Sequence, residues 1–481
     1  MTAPASRDAL QPPGPAFVDA LVQAVGSDAV TTDPVEIDKF LKDNSWLSPI
    51  LTDYFGRQRA EAGGLPGVEV AVSPRNVGQL RDAIALAVRH GVPITPRGAG
   101  TSNFGQSIPL SGGMLLDLTH LNRLLEVTDT SVTAEAGALV GDLESAARAA
   151  GKELTLLTTT YSTATIGGWV AGGHVGIGTS AYGAIWDGNV LAVKLLTAED
   201  PPRELYLDGD DLFPALHTAG TVGVLTEVTM PVVPAREWLE AVVAFDRFDA
   251  AAEYTVALSR ESPLAQRVTA AEEAPMPLGF TPLRQFFAEG QAGVLLMIDQ
   301  AEAPRFERLA GEHGGAWHLW KAPGDTRRLS LNYMVYGHRM LWNKRLAPDA
   351  AFLHVYFAPG QELAQLQALR DHFGERVWRE LKYMRSGYLR SLRGLPPEGL
   401  LPAGVLALVP GERAFVDAVM AYCDTIGVTY LNPHTFVLEE SGLFADFERI
   451  VAFKRQTDPK GLLNPGKLGD RFYVSSKGES S

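Results

Sequence analysis

Eight glycines lie between Gly167 and Gly188, and this density constrains the fold more than any other feature of the chain. Each glycine in a helix interior costs about 1 kcal/mol relative to alanine, so the sequence predicts that this segment is not an ordinary helix. Glycines also let a backbone come close to another group. We therefore expect the segment to lie against a large, flat ligand.

A second glycine-rich segment precedes it, in which Arg97-Gly98-Ala99-Gly100 is followed by Thr101-Ser102-Asn103. Glycines allow successive N–H groups to converge on one concavity, and such a nest binds phosphate oxygens. The three polar side chains add donors, and Arg97 either supports the loop or contacts the anion. Taken alone, the segment is explained equally well as a plain surface loop. It lacks the third glycine of a Rossmann fingerprint and the Gly-Lys-Ser/Thr of a Walker loop.

The loop follows an alternation of strand and helix. Val68–Val72 alternates as a strand, Ser73-Pro74 is typical of a helix start, and Gly91 of a helix end. The chain up to 235 continues in the same style. The further elements predicted there are strands at 92–96, 114–118, 131–137, 154–158, 190–196 and 221–233 and a helix at 139–150.

The pattern changes after Arg236, where strands near 240–245, 293–298 and 351–357 mix with amphipathic helices. Separate strands and helices of this kind are typical of an antiparallel sheet with helices on one side. We therefore predict a disordered leader over 1–16, a cofactor-binding domain over 17–235 plus 450–481, and a cap domain over 236–449.

Composition limits the partners. The net charge of −14 argues against non-specific nucleic-acid binding and against docking to an anionic membrane. Cys423 is the single cysteine, which excludes an internal disulfide, and its context favours packing over nucleophilic chemistry. No stretch is apolar enough to span a bilayer, and the N-terminus does not resemble a signal peptide. A cytoplasmic protein, with homo-oligomeric association left open, is the expectation.

Two shorter motifs complete the pattern, Gly220-Thr221-Val222-Gly223-Val224-Leu225-Thr226 and Asn464-Pro465-Gly466-Lys467. Together with the two glycine-rich segments, and in this order, they resemble the FAD-linked oxidase family of the vanillyl-alcohol oxidase type. That family includes glycolate oxidase catalytic subunits and D-lactate dehydrogenases. The resemblance covers residues 68–234 and 458–468 well and the region between them weakly.

The resemblance implies an α+β fold, in which a bipartite FAD-binding domain (PCMH-type) carries an antiparallel-sheet cap over the flavin ring. Some relatives carry a histidine that bonds covalently to the flavin near the position of Gly100 or Thr101, so non-covalent FAD is predicted here. His174 either faces the flavin or is a loop histidine bonded to backbone. The FAD contacts implied are Pro96, Arg97, Gly98, Ala99, Gly100, Thr101, Ser102, Asn103, Thr165, Gly167, Gly168, Gly172, Gly173, His174, Gly176, Gly178, Tyr182, Gly223, Val224, Leu225, Asn464 and Lys467.

Oxidation of a C–H bond beside oxygen also calls for a base and for substrate-binding groups. The cap offers His434, His338, His354 with Tyr356 on the same strand face, and Arg390, which could clamp a carboxylate. Each is also explained as an ordinary structural residue. The hydroxy-acid members of the family carry a His-x-His-Asp-Gly-Asn motif that binds a metal. This chain lacks the motif, so no metal is predicted and a hydroxy-acid substrate is in question.

The resulting hypothesis is an enzyme that transfers a hydride from a small CH–OH substrate, a hydroxy acid or an alcohol, to FAD. Oxygen, a quinone or a protein then accepts the electrons. The alternative is a flavin-binding subunit of a larger electron-transfer complex without substrate chemistry of its own. The missing Rossmann fingerprint disfavours a pyridine-nucleotide dehydrogenase.

Overall fold

A computed structural model describes residues 10–41, 43, 52, 53, 56, 68–102, 105–432 and 435–469. Most of the predicted leader lies outside these residues, and its end belongs to a helix, Pro15–Val25, which packs through Phe17 and Leu21. No helix in these ranges combines the length and apolar composition that a membrane crossing needs.

The first sheet confirms the predicted strand–helix–strand pattern. Three of its strands run parallel, and the helix Val77–His90 connects two of them, starting at the Asn76 cap and ending at Gly91 with a φ of 68°. Glycine adopts this left-handed conformation without the strain that a Cβ brings. The helix Pro34–Phe40 also packs on this sheet. In spatial order, the four strands are Val30–Thr31, Val68–Val72, Gly113–Asp117 and Ile94–Arg97.

A late segment of the chain joins the free edge of this sheet. After the helix Phe447–Thr457, Leu463 forms a parallel bridge with Ile94. The Ile94 N–H donates to the Leu462 carbonyl, and the Asn464 N–H donates to the Ile94 carbonyl. Buried Asp458 accepts hydrogen bonds from Lys454 Nζ and from the N–H groups of Leu462 and Leu463, which fixes the turn.

The second sheet is antiparallel and packs beside the first. The helix Val140–Ala149 covers it, and the strand predicted over 154–158 is shorter and ends at Leu154. The strands in spatial order are Leu124–Val127, Ser131–Glu135, Val224–Pro234, Ala192–Leu196 and Glu204–Asp208, with Lys152–Leu154 paired to the end of the third.

The expectation that the glycine-rich segment contains no ordinary helix is wrong. The segment begins in a helix, Ile166–Gly172, and a short second helix follows, Thr179–Tyr182. A Cβ on Gly167 would lie 2.6 Å from the Ala136 Cβ, so glycine lets the first helix pack directly on a strand end. A Cβ on Gly176 or Gly178 would lie 2.0 or 2.1 Å from a backbone carbonyl oxygen. Packing within the protein, as well as ligand approach, therefore explains the glycine density.

The cap contains one nine-stranded antiparallel sheet whose strands all fall between 238 and 431. Helices Phe248–Ser259, Ala303–Glu312, Glu362–Phe373 and Arg413–Thr425 bury their apolar faces with it in one core. In spatial order, the strands are Ala316–Lys321, Trp238–Phe245, Ala292–Asp299, Gln266–Glu272, Glu380–Met384, Leu401–Leu408, Ala351–Tyr356 and Thr429–Leu431, with Val377–Trp378 paired to Leu401–Leu408. Shorter cap helices span Met276–Gly279, Arg339–Asn343 and Gly387–Ser391.

Cys423 lies in this cap core and is fully buried. Burial raises the pKa of its thiol to about 12, so the reactive thiolate is scarce near neutral pH. This confirms the packing interpretation of the single cysteine.

Buried polar contacts attach the cap to the rest of the fold. Arg267 donates to the Leu154 carbonyl and lies 3.7 Å from Glu144, and its own carbonyl accepts from the Gly178 N–H. The predicted boundary at 449/450 falls inside the helix Phe447–Thr457, and the domain limits remain a prediction.

Candidate functional site

A cavity of about 1190 Å³ opens where the two sheets and the cap meet. Its wall is lined by Pro96, Arg97, Gly98, Ala99, Gly100, Thr101, Ser102, Gln106, Ser107, Leu118, Thr158, Thr159, Thr160, Ala164, Thr165, Gly167, Gly168, Trp169, Ala171, Gly172, Gly173, His174, Val175, Ala219, Gly220, Gly223, Leu225, Tyr336, Gly337, His338 and His354.

The loop from Pro96 to Ser102 forms one side of this cavity. Gly100 has a φ of 67°, and a Cβ there would lie 1.9 Å from an Arg97 guanidinium nitrogen. Arg97 is 7% exposed, and its Nη1 lies 3.3 Å from the Ser107 Oγ. Burial lowers the pKa of Arg97, whereas Asp43 and Asp117 raise it. The guanidinium therefore folds under the loop as a support and also borders the cavity.

The start of the helix Ile166–Gly172 packs directly against this loop. A Cβ on Gly98 would lie 2.0 Å from the Thr165 Oγ1, so the loop can approach the helix start only as glycine. Thr165 caps that helix by accepting from the Gly168 N–H at 3.2 Å. A run of three threonines, 158–160, adds hydroxyl groups to the same wall.

Asn464 and Lys467 lie behind the wall rather than in it. Asn464 Nδ2 donates to the Gln106 carbonyl at 3.2 Å and to the Ala219 carbonyl at 2.7 Å, which joins two loops that line the cavity. Its Oδ1 is buried without a hydrogen-bond partner. Lys467 Nζ donates to the Gly105 carbonyl at 2.7 Å, and burial lowers the pKa of Lys467 to about 7. Both residues hold the wall in place.

His338 connects the cap to the glycine loop. Its Nε2 lies 3.2 Å from the Thr101 carbonyl oxygen, and its Nδ1 pairs with the Thr159 hydroxyl. Because the carbonyl can only accept, Nε2 carries the proton and Nδ1 accepts from Thr159. Burial lowers the pKa of His338 to about 4, which keeps the ring neutral. His338 therefore acts as a clasp on the loop side of the cavity.

A second cavity of about 470 Å³ adjoins the first, and the two share Gln106, His174 and His354. One end of it is the shared wall, and the other is mostly apolar. Its remaining lining residues are His217, Leu431, Asn432, Thr435, Phe436, Val437, Leu438, Ser441 and Leu443.

Three histidines gather at the shared wall, and we call them the imidazole wall: His174, His217 and His354. The rings of His174 and His217 meet edge to face with centroids 5.2 Å apart, and the His354 ring is 6.4 Å from that of His174. His354 reaches the wall because Val355 on the same strand points into the cap core. The strand alternation noted in the sequence thus directs His354 toward the cavities.

His217 has a backbone φ of 60°, which is uncommon for a residue other than glycine. Its Nδ1 lies 2.9 Å from the Gly173 carbonyl oxygen and must donate to it, so Nε2 is the acceptor nitrogen of the ring. Burial lowers the pKa of His217 to about 4. Burial lowers the pKa of His174 well below its usual value, and the neighbouring His217 ring lowers it further. The His174 Nε2 is buried without a hydrogen-bond partner.

Several predicted site residues lie elsewhere. Arg390 borders neither cavity, since its guanidinium donates to the carbonyls of Pro396 and Leu400. Tyr356 lies in the core under the Arg393 guanidinium, 3.5 Å from its ring centroid. Asn103 and His434 lie outside the described residues. Besides Asn464 and Lys467, four predicted cofactor contacts line neither cavity: Gly176, Gly178, Tyr182 and Val224.

Three parts of the site were not predicted from the sequence: His217, the threonine run at 158–160 and Gln106. Three consecutive threonines just before a glycine run are a readable signal for phosphate-binding hydroxyls. His217 precedes the Gly220–Thr226 motif by three residues, but its partner Gly173 is 44 positions away, so nothing local marks it.

Comparison with known proteins agrees with this geometry. Residues 68–200 match the family model of an FAD binding domain. This chain contains an FAD-binding domain. FAD is therefore its cofactor, and the resemblance to FAD-linked oxidases is confirmed.

Individual relatives match over different lengths. The glycolate oxidase subunit GlcD of Bacillus subtilis is 29% identical over 38% of this chain and 41% of the relative. The chain thus matches less than half the length of that protein. It matches 37% of the length of the D-lactate dehydrogenase of Anaerostipes hadrus, at 27% identity. A D-lactate dehydrogenase of Archaeoglobus fulgidus is 24% identical over 83% of this chain and 91% of the relative.

The fold extends further than the sequence similarity. A solved alkyldihydroxyacetonephosphate synthase superimposes with a TM-score of 0.67 over 97% of this chain and 88% of that one, at 17% identity. The predicted α+β fold of the vanillyl-alcohol oxidase type, with its antiparallel cap sheet, is confirmed.

The residues present fit FAD. The loop at 96–102 offers a positive-φ glycine and hydroxyl groups beside a buried guanidinium, which suits a pyrophosphate. The shared wall consists of Gln106 and the imidazole rings of His174 and His354, and such flat rings suit contact with a flavin ring. Among the described residues, no group of three or more His, Cys, Asp or Glu is arranged to hold a metal ion.

Proposed function

We propose that the chain is an FAD-dependent oxidoreductase that oxidises a small CH–OH substrate held in the second cavity. The observation that supports this most is the imidazole wall, because His174 and His354 line both cavities and His217 lines the second beside them. A molecule in the second cavity meets, at that wall, the pocket where the loop residues 96–102 hold the cofactor. Bound FAD supplies a two-electron acceptor for hydride, which no side chain of the wall provides.

His217 is the residue that we propose as the base. Its Nδ1 is committed to the Gly173 carbonyl, so Nε2 is the nitrogen able to accept a substrate hydroxyl proton. The low pKa keeps this nitrogen unprotonated in the resting protein. As the carbinol C–H bond gives up a hydride, the O–H bond gives its proton to Nε2 and the carbonyl double bond forms. Gln106 and His354 complete the wall and position the hydroxyl.

The cofactor is proposed to be non-covalent. Gly100 has no side chain, and the Arg97 guanidinium fills the space where one would extend. At the neighbouring position, Thr101 presents its carbonyl to His338. Neither position offers the histidine that would form a bond to flavin.

A first experiment tests these points together. The purified protein should be yellow, and acid or heat should release the flavin into the supernatant. Under anaerobic conditions, a panel of alcohols, alditols, hydroxy acids and amines should contain compounds that bleach the flavin. Flavin retained in the precipitate would contradict non-covalent binding. Bleaching only by a partner protein would instead favour the electron-transfer subunit.

A further inference from the structure

The second cavity is distinguished by the types of side chain in its wall. Its described lining contains no Asp, Glu, Lys or Arg. Two of its three imidazoles are held neutral, since burial lowers the pKa of His217 to about 4 and that of His174 well below its usual value. The described wall therefore offers no lysine or arginine to pair with an anion.

Cations near this cavity are already engaged. Arg393 stacks on Tyr356 and donates to the Leu389 carbonyl and the Thr429 hydroxyl. Lys467 lies 4.9 Å from the centroid of the Phe436 ring, which itself lines the cavity, and donates to the Gly105 carbonyl.

Two further cations of the described residues, Lys382 and Arg97, also lie outside the lining of the second cavity. Lys382 pairs with Glu380 at 2.9 Å. Arg97 lines the first cavity beside the glycine loop and is absent from the lining of the second. None of these cations is part of the wall that a substrate would touch.

The hydroxyl groups in the apolar half of the cavity are also occupied. Thr435 donates to Glu440 at 2.6 Å and accepts from the Val437 N–H, while Ser441 donates to the Leu438 carbonyl at 2.6 Å. The polar surface left for a ligand is thus concentrated at the imidazole wall. Leu431, Phe436, Val437 and Leu443 form an apolar surface away from it.

Energetics then separate two classes of alcohol. A carboxylate buried without a cation loses several kcal/mol of hydration that nothing in the wall returns. An uncharged molecule avoids this cost, and an apolar body gains about 25 cal/mol for each Å² that it buries. We propose that the second cavity binds an uncharged alcohol with an apolar body and discriminates against hydroxy acids. The proposal rests on the function proposed above, and it departs from the glycolate and D-lactate in the names of two relatives.

The test uses the FAD-loaded protein and two inert compounds that differ in charge, 2-hydroxy-2-methylpropanoate and 2-hydroxy-2-methylpropanamide. Both are tertiary alcohols, so neither has a carbinol hydrogen to lose, and binding is measured without turnover from the shift in flavin absorbance. We expect the amide to bind at least about tenfold more tightly, a difference of about 1.4 kcal/mol. Equal or tighter binding of the carboxylate, or no binding of either up to solubility, would overturn the proposal.

A matched pair of variants locates the effect. Leu443→Lys places a cation in the apolar wall, whereas Leu443→Met extends the side chain without charge. We expect Leu443→Lys to tighten carboxylate binding at least about tenfold relative to Leu443→Met, by about 1.4 kcal/mol. Equal affinities in two variants with normal flavin content and melting temperature would show that the carboxylate does not enter this cavity. Should Leu443→Lys fail to fold, the unmodified protein still decides through the amide and carboxylate pair.

The two proposals fail in different ways. If no secondary alcohol bleaches the flavin but the amide still binds preferentially, the redox function falls and the cavity assignment stands. If hydroxy acids bleach the flavin and their inert analogue binds best, the function stands and the substrate class is wrong.

Discussion

The two cavities share a wall, but the backbone shapes one and side chains shape the other. The first is shaped mainly by backbone, with glycines whose φ angles and close approaches allow no side chain. The second is shaped by side chains, with three imidazoles facing an apolar surface. In the proposed function, backbone shape holds the cofactor, whereas side-chain chemistry selects the substrate. The substitutions described next each alter one of these walls, and the measurements show whether the other wall is affected.

The largest effect is expected from His217→Asn. Asparagine tolerates the positive φ and its amide can still donate to the Gly173 carbonyl, but it lacks the basic Nε2. Flavin content should stay normal, while anaerobic flavin reduction by substrate slows by about 10²–10⁴-fold. The surface variant His372→Asn serves as the control. An unchanged reduction rate would remove His217 from the proton transfer.

Acid should weaken the whole site through its buried rings. His217 and His338 have a pKa lowered to about 4 in the folded protein, against about 6.5 when unfolded. The unfolded chain binds more protons between these values, so stability falls as pH falls from about 6.5 to about 4, by up to roughly 3 kcal/mol per ring. Denaturant unfolding measured across this range checks it. A His217→Asn, His338→Gln double variant should flatten the profile, and an unchanged slope would contradict the assignment.

Gly100→Ala tests the backbone-shaped wall. The added Cβ would collide with the Arg97 guanidinium, and alanine would have to keep the positive φ of Gly100. Together these effects cost about 1–3 kcal/mol. FAD affinity should fall about ten- to hundredfold. Gly188→Ala is the matched control, because it has a φ of 85° but meets nothing within 4 Å. Equal flavin loss in both variants would show that general destabilisation is the cause.

The smallest effect is expected at the clasp between cap and loop. His338→Ala removes two hydrogen bonds, each contributing about 0.5–1.5 kcal/mol. FAD should bind several-fold more weakly, without a change in the pH dependence of substrate oxidation. Thr159→Val breaks one of the same bonds, so the double variant should be less than additive. Full additivity would show that the two residues act independently.

The sequence predicted the backbone-shaped cavity better than the other, for a physical reason. A glycine loop following a strand is a local signal, and residues from Pro96 to Ser102 are found together in the cavity. The imidazole wall is non-local, since His174, His217 and His354 come from three distant segments. No local pattern separates His338, which clasps the loop, from His354, which faces both cavities. Arg390 had the right chemistry for a clamp, yet its donors go to nearby carbonyls.

The position of Asn464 has a consequence for the order of events during synthesis. Its side chain ties the Gln106 loop, which is 358 positions earlier in the chain, to the Ala219 loop. A ribosome that has finished the glycine loop must translate more than seven-tenths of the printed sequence before that tie can form. A nascent chain released before residue 464 would present a fingerprint for FAD without the brace that closes it. We expect a chain that stops before this residue to hold FAD more weakly, because the two loops then lack the hydrogen bonds that join them.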